Sequence, residues 1–165
     1  MSHEILTGSE FVDSRIRISI AALCRLRLPD GRYVFQYNPD RNLVKPLGGA
    51  CKYTDLSLWS AIGFELEDPQ VPDDQDDLRG TVPSDKVPQL LGLCRSGQGR
   101  EADTPYRELN EELFIPLGIV PAGGLPGRFV RSEIAGFDGP SAAFAQGSLT
   151  PTLYYFEIYS TLKTK

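Results

Sequence analysis

The chain has 165 residues, 41% hydrophobic and 24% charged, with 16 Gly and 13 Pro, a composition that suits one globular domain and excludes wholesale disorder. Its formal net charge is -5, yet residues 65–77 alone carry Glu65, Glu67, Asp68, Asp73, Asp74, Asp76 and Asp77; taking those seven charges from -5 leaves +2 on the remainder. The single histidine, His3, stands beside the start of the chain, so Ser/His/Asp and Cys/His relays have no imidazole to draw on.

Cys24, Cys51 and Cys94 lie 27 and 43 residues apart. That spacing matches neither a disulfide framework nor a zinc site, and it fits a reducing, cytoplasmic setting. No apolar run approaches the roughly 18–20 residues needed to cross a bilayer. Residues 1–11 lack the basic and apolar regions of a signal peptide, and residues 1–165 are expected to make no membrane contact of their own.

Residues 1–14 read as an N-terminal extension to one domain over 15–165. From Arg15 to Leu28, Ile16, Ile18, Ile20, Ala22, Cys24, Leu26 and Leu28 share one parity while Arg15, Arg17, Ser19, Arg25 and Arg27 share the other. This period of two predicts a long half-buried strand. Pro29-Asp30-Gly31-Arg32 carries turn chemistry and Tyr33–Tyr37 reads as a second strand, giving an antiparallel hairpin. Lys45-Pro46-Leu47-Gly48-Gly49 follows, where paired glycines either form a plain turn or let backbone amides approach a ligand that any Cβ would hold away. Residues 56–63, with Leu56, Leu58, Trp59 and Ile62, are a short helix or an irregular apolar segment. The acidic stretch 65–77, helped by Pro69 and Pro72, reads as a mobile solvated insertion.

Ser84 is a candidate cap for a helix to about Leu93, ended by Ser96, Gly97 and Gly99. Thr104 is placed to cap the next helix, with Pro105 at its first position and Pro116 as its stop. Residues 118–127 read as a loop, 128–134 as a strand, 136–147 as a second loop, and Leu153–Thr161 as a buried strand.

The helix between Pro105 and Pro116 is the informative one. At about 100° per residue, Glu108, Glu111 and Glu112 fall within one arc, opposite Tyr106, Leu109 and Leu113. Like charges three and four residues apart repel by a few tenths of a kcal/mol. Either all three carboxylates face water, or a divalent cation such as Mg²⁺ joins them to a phosphate. Arg107 beside them can pair with a carboxylate and hold it.

Leu47-Gly48-Gly49 followed downstream by Arg107-Glu108-Leu109-Asn110-Glu111-Glu112 resembles the Nudix superfamily, whose box reads G-x5-E-x7-R-E-U-x-E-E-x-G-U. The resemblance implies an α+β Nudix fold, a mixed β-sheet sandwiched between α-helices. It also implies that Glu108, Glu111 and Glu112 match the metal-binding carboxylates, with Arg107 orienting them. The chain departs from the box in three ways. Asp55 stands where its first Glu belongs, 51 residues (56–106) replace seven, and Phe114 replaces its closing glycine. Pro46-Leu47-Gly48-Gly49 with Lys52-Tyr53, then Asp77-Leu78-Arg79, then Arg100-Glu101 ahead of the acidic helix, make the chain most similar to SMODS-associated Nudix-like domains of bacterial (CBASS-type) conflict systems.

For such a domain the resemblance implies a sensor that binds a cyclic oligonucleotide of the cyclic dinucleotide class in antiphage signalling, controlling an attached or partner effector. Such an effector can be membrane-spanning, which would set the domain at the cytoplasmic face of the inner membrane. A cyclic dinucleotide offers phosphates to cations and bases to aromatic faces. Gly48, Gly49, Lys52, Tyr53, Arg79, Arg100, Tyr106 and Arg107 are the candidate ligand-binding residues, with Trp59 and Phe137 as further aromatic faces. Core packing is the competing role for Trp59 and Tyr106, and a salt bridge to Glu101 the competing role for Arg100. The rival reading is a Mg²⁺-dependent hydrolase of a nucleoside diphosphate linked to another group, with Glu111 and Glu112 catalytic; a purely structural or oligomerising module is the third. No duplex nucleic acid is expected as partner, and room is left for a homo-oligomer.

Overall fold

A computed structural model describes residues 14–39, 42–67, 75–118, 129–140 and 151–161. His3, the N-terminal extension before Ser14, the centre of the acidic stretch and the stretches 119–128 and 141–150 lie outside the described residues.

The domain is α+β, built on a seven-stranded mixed sheet. Strand β1 (Arg15–Arg25) is its centre. Along one edge it pairs in parallel with β7 (Pro151–Thr161), from Arg17↔Thr152 to Arg25↔Ser160. β7 pairs in turn with the antiparallel strand β6 (Phe129–Pro140). The other edge of β1 is divided. Its first half pairs with β5 (Arg79–Pro83), which carries the two-residue β4 (Glu65–Leu66), and its second half pairs with β3 (Leu43–Ala50), which carries β2 (Phe35–Asn38).

The fork lies at Ile20. Its amide donates to the Leu78 carbonyl at 3.1 Å, its carbonyl accepts from Cys51 at 3.0 Å, and the Leu78 amide closes the triangle on the Cys51 carbonyl at 2.8 Å. Every backbone group at the fork is thereby satisfied, while the chain on either side of it diverges.

The alternation of β1 places Ile16, Ile18, Ile20 and Ala22 in the main core with Trp59, Leu78, Val82, Leu90, Cys94, Leu153 and Tyr155. Arg17, on the opposite parity, is also buried, because its guanidinium forks onto Glu67 at 2.7 Å. The three thiols are free and buried. Burial chiefly holds Cys24 and Cys94 up to about 12 and Cys51 up to about 11, so none is a thiolate nucleophile near neutral pH.

Several local expectations are corrected. The hairpin after β1 closes only at its tip, through Leu28–Arg32 and Leu26–Val34 backbone bonds and the Arg27↔Tyr33 bridge; β2 then leaves to pair with β3. Of the two readings of residues 56–63 the structure has the short helix: α1 (Leu56–Ser60) is capped by Asp55 accepting from the Ser57 amide at 3.0 Å. Ser84 opens a 3₁₀ turn (Ser84–Lys86) without side-chain capping, ahead of α2 (Val87–Ser96), which ends on Gly97 at φ +70°. The stretch after Ile134 continues as strand to Pro140, because β7 offers it a full antiparallel edge.

The ends of the acidic stretch are not free loops. Glu65 and Leu66 form β4, Glu67 pairs with Arg17, and Asp77 is buried. Among the described residues no helix is long and apolar enough to cross a membrane.

Candidate functional site

Helix α3 (Thr104–Leu109) continues without a break through a π-helical turn (Asn110–Phe114) into a last turn, α4 (Ile115–Leu117). Leu109 is fully buried against Cys24 and Leu47, with Leu26, Val34, Leu113 and Phe114 packed around them. This apolar stripe docks the helix over β3 and turns its acidic stripe toward the fork. Tyr106 does not join the stripe and is 36% exposed. Thr104 is the first helical residue rather than the cap, and its hydroxyl donates to Glu101 at 3.0 Å.

The π turn departs from the regular α-helix on which the acidic arc was calculated. The Ile115 amide reaches back to Asn110, five residues away. Pro116 has no N–H for the carbonyl four residues before it, that of Glu112, and its ring would press on that carbonyl in an α-helix; the wider turn accommodates it. The helix therefore runs past Pro116 and stops at Gly118, at φ +63°.

On β3, residues 45, 47 and 49 share the face beneath this helix. The Lys45 ammonium meets Glu112 Oε1 at 2.6 Å, and the Gly48 amide donates to Glu112 Oε2 at 2.7 Å. Glu108 lies directly over Gly49: a Cβ there would stand 2.5 Å from both carboxylate oxygens. Gly48, at φ +131°, faces the Ala22 carbonyl so closely that no Cβ fits. The two glycines are thus strand residues, needed for close approach, and do not form a turn.

Arg107 organises the acids. Its guanidinium contacts Glu101 at 2.8 Å, Glu108 at 2.7 Å and Glu111 at 3.0 Å, and donates to the Ala50 carbonyl at 3.0 Å. Burial opposes its charge, but the three carboxylates outweigh that and raise its pKa. Burial likewise tends to raise Glu101, yet bonds from Arg107, Thr104 and the Lys52 amide outweigh it and lower that pKa. Glu108 goes the other way. Burial first, then Glu112 and Glu111, lift it against Arg107 to about 7.

The surrounding cleft has a volume of about 500 Å³ and is lined by Lys45, Gly48, Gly49, Ala50, Lys52, Asp77, Arg79, Arg107, Glu108, Glu111 and Glu112. Four basic and four acidic side chains therefore share it. Of the residues expected from the sequence, the cleft gathers Gly48, Gly49, Lys52, Arg79, Arg107, Glu108, Glu111 and Glu112.

Tyr53, Arg100 and Tyr106 do not line it. Arg100 is buried and pairs with Glu157 of β7, not with Glu101. Tyr53 packs against the core and bridges Arg100 through its backbone. Trp59 is fully buried, with its indole N–H on the Gly99 carbonyl at 2.9 Å. The side chain of Phe137 lies outside the described residues. Asp55, in the place of the box's first Glu, caps α1 and does not line the cleft.

Sequence reasoning missed Lys45, Asp77 as a wall residue, and Glu101 as the carboxylate that holds Arg107. Period-two counting back from Gly49 through Leu47 finds Lys45. No local spacing signals Glu101, because it reaches Arg107 from outside the helix. Among the described residues no three His, Cys, Asp or Glu side chains are grouped as metal ligands are; Glu112 is held by Lys45 and Gly48, and Glu108 and Glu111 by Arg107. A Mg²⁺ ion held by these carboxylates would have to take the place of Lys45 and Arg107 on them.

Two expected results follow locally. In Gly49→Ala the new Cβ displaces the flexible end of Glu108, not backbone, so a loss of about 1 kcal/mol is expected in denaturant unfolding, the low end for overpacking; an unchanged midpoint would show that Glu108 does not rest there. The second concerns pH. Because the Glu108 pKa is raised from 4.5 to about 7, the native state keeps its proton where the unfolded chain has lost it, so this group's contribution to stability falls as pH rises through that window. Glu108→Gln should gain on the wild type between about pH 5 and about pH 8 in unfolding midpoints. A pH-independent difference between the two proteins would contradict the assignment.

A family model described as SMODS-associated NUDIX domain matches residues 15–164. No curated protein and no solved structure gives a match.

Proposed function

Because the chain belongs to the SMODS-associated NUDIX domain family, we propose that its cleft is a sensor site for a cyclic oligonucleotide of the cyclic dinucleotide class in bacterial antiphage signalling, controlling an attached or partner effector. One observation carries the reading: Lys45, Lys52, Arg79 and Arg107 converge on a cleft of about 500 Å³ in which the acids are already engaged by cations of the same chain. A cleft of this size holds a small ligand, and cationic donors suit phosphodiester oxygens. Carboxylates committed to Arg107 serve as struts for that donor.

Calorimetry with a panel of cyclic di- and trinucleotides is expected to yield at least roughly micromolar affinity for one member. Absence of binding to every member overturns the sensor.

The second reading, a Mg²⁺-dependent hydrolase of a nucleoside diphosphate linked to another group, is favoured by the three box carboxylates, Glu108, Glu111 and Glu112, all lining the cleft. It requires Lys45 and Arg107 to release the carboxylates first. Phosphate release from nucleotide diphosphates with Mg²⁺, abolished in Glu111→Gln and Glu112→Gln, would establish it. Turnover that survives both substitutions would place any hydrolysis elsewhere.

A further inference from the structure

We infer that the Lys45 ammonium and the Gly48 amide, which both hold Glu112, form an anion seat that a ligand phosphate takes over by exchange. The inference deepens the sensor reading and rests on its phosphate chemistry. Both Glu112 oxygens are engaged, Oε1 by Lys45 at 2.6 Å and Oε2 by the Gly48 amide at 2.7 Å. Two non-bridging phosphate oxygens present a similar bite to the same pair of donors. The backbone donor is fixed, because Gly48 is held at φ +131° against Ala22 by the β1–β3 pairing.

Exchange also accounts for how a cleft with four basic and four acidic walls accepts an anion. The incoming phosphate does not add to an unpaired lysine; it replaces a carboxylate already there. Lys45 is 35% exposed and can be reached from solvent. The adjacent Glu111, on the same π turn, is 53% exposed, so a carboxylate released from the seat has a solvated position beside it.

The test uses inorganic phosphate titrated into the whole chain in the presence of a chelator, followed by ³¹P line broadening or calorimetry. Glu112→Gln is expected to bind phosphate at least about fivefold more tightly than the wild type, the lower range for coupling between two occupants of one site. Glu111→Gln removes the same charge from the same cleft without touching the seat, so its gain should stay below about twofold. Adding Lys45→Met to Glu112→Gln should abolish the gain. Glu112→Asp keeps the charge on an arm too short for both donors and should move affinity in the same direction, which preserves the test if the amide variant fails to fold.

Equal or weaker phosphate binding by Glu112→Gln and Glu112→Asp overturns the seat. So does an equal gain in Glu111→Gln, or a gain that survives loss of Lys45. Since the probe is inorganic phosphate, the seat can fail while a cyclic dinucleotide still binds the wild type, and the sensor can fail while the seat stands.

Discussion

Glu157→Gln is expected to lower the unfolding free energy by about 3–5 kcal/mol, the range for removing one partner of a buried ion pair, and the melting temperature by on the order of 10 °C. Glu157 is fully buried on β7. Its Oε1 holds Arg100, whose side chain is 4% exposed, with Arg131 at 3.3 Å, and its Oε2 accepts from the Tyr159 hydroxyl at 2.7 Å. Arg131, 37% exposed, can turn to water when the carboxylate is gone. Arg100 cannot: its other contact is the Cys94 carbonyl at 3.3 Å, and its Nε has no partner.

Pairing Glu157→Met with Arg100→Met should recover most of that loss, since an apolar pair needs no compensation. A double variant as unstable as the single one would mean that the packing, not the stranded charge, was responsible. The effect should extend to the cleft. Arg100 bridges Tyr53, the next amide, Glu101, donates to the Lys52 carbonyl at 3.0 Å, and the Glu101 carboxylate orients Arg107.

Arg107→Met should destabilise the domain by about 3 kcal/mol, the low end of the same range because the guanidinium is 22% exposed, and should weaken, without abolishing, phosphate binding by a cleft that keeps Lys45 and the Gly48 amide. Its loss leaves Glu101, Glu108 and Glu111 facing one another, with the buried Glu108 forced further toward its protonated form. Arg107→Lys should recover only part of both effects, since a single ammonium cannot fork onto three carboxylates and the Ala50 carbonyl. Urea midpoints for the three proteins at neutral pH measure this. A lysine variant indistinguishable from the wild type would show that charge alone, not the fork, organises the cleft.

What could be read in advance was periodic. The two-residue alternation of β1 placed Ile16, Ile18, Ile20 and Ala22 in the core because strand geometry alone sends alternate side chains to opposite faces. The acidic and apolar stripes of the 104–113 segment were readable for the same reason, and they brought Leu109 down onto Leu47 with Glu108 over Gly49. Periodicity thus put Glu108, Glu111 and Glu112 on one helix face, and the Nudix resemblance implied that Gly48 and Gly49 share their cleft. The misplacements share a different cause. Arg100 and Tyr53 carry types suited to a nucleotide site, but β7 supplies a buried carboxylate to the first and the core covers the second. Arg17 sat on the polar parity and was nonetheless buried by Glu67, 50 residues on.

The residues alone thus specified the main strand and the acidic helix, because strand parity and helix stripe act over a few residues where backbone geometry leaves little choice, while the order of the motifs carried the family resemblance. Only the tertiary structure decided which charges meet. The division of β1's edge between β3 and β5, the π turn forced by Pro116, and the reach of Glu101 and Lys45 into the cleft all depend on residues brought together across long stretches of chain. Whether a lysine is a ligand donor or a carboxylate's partner depends on which of these pairings the closed sheet permits.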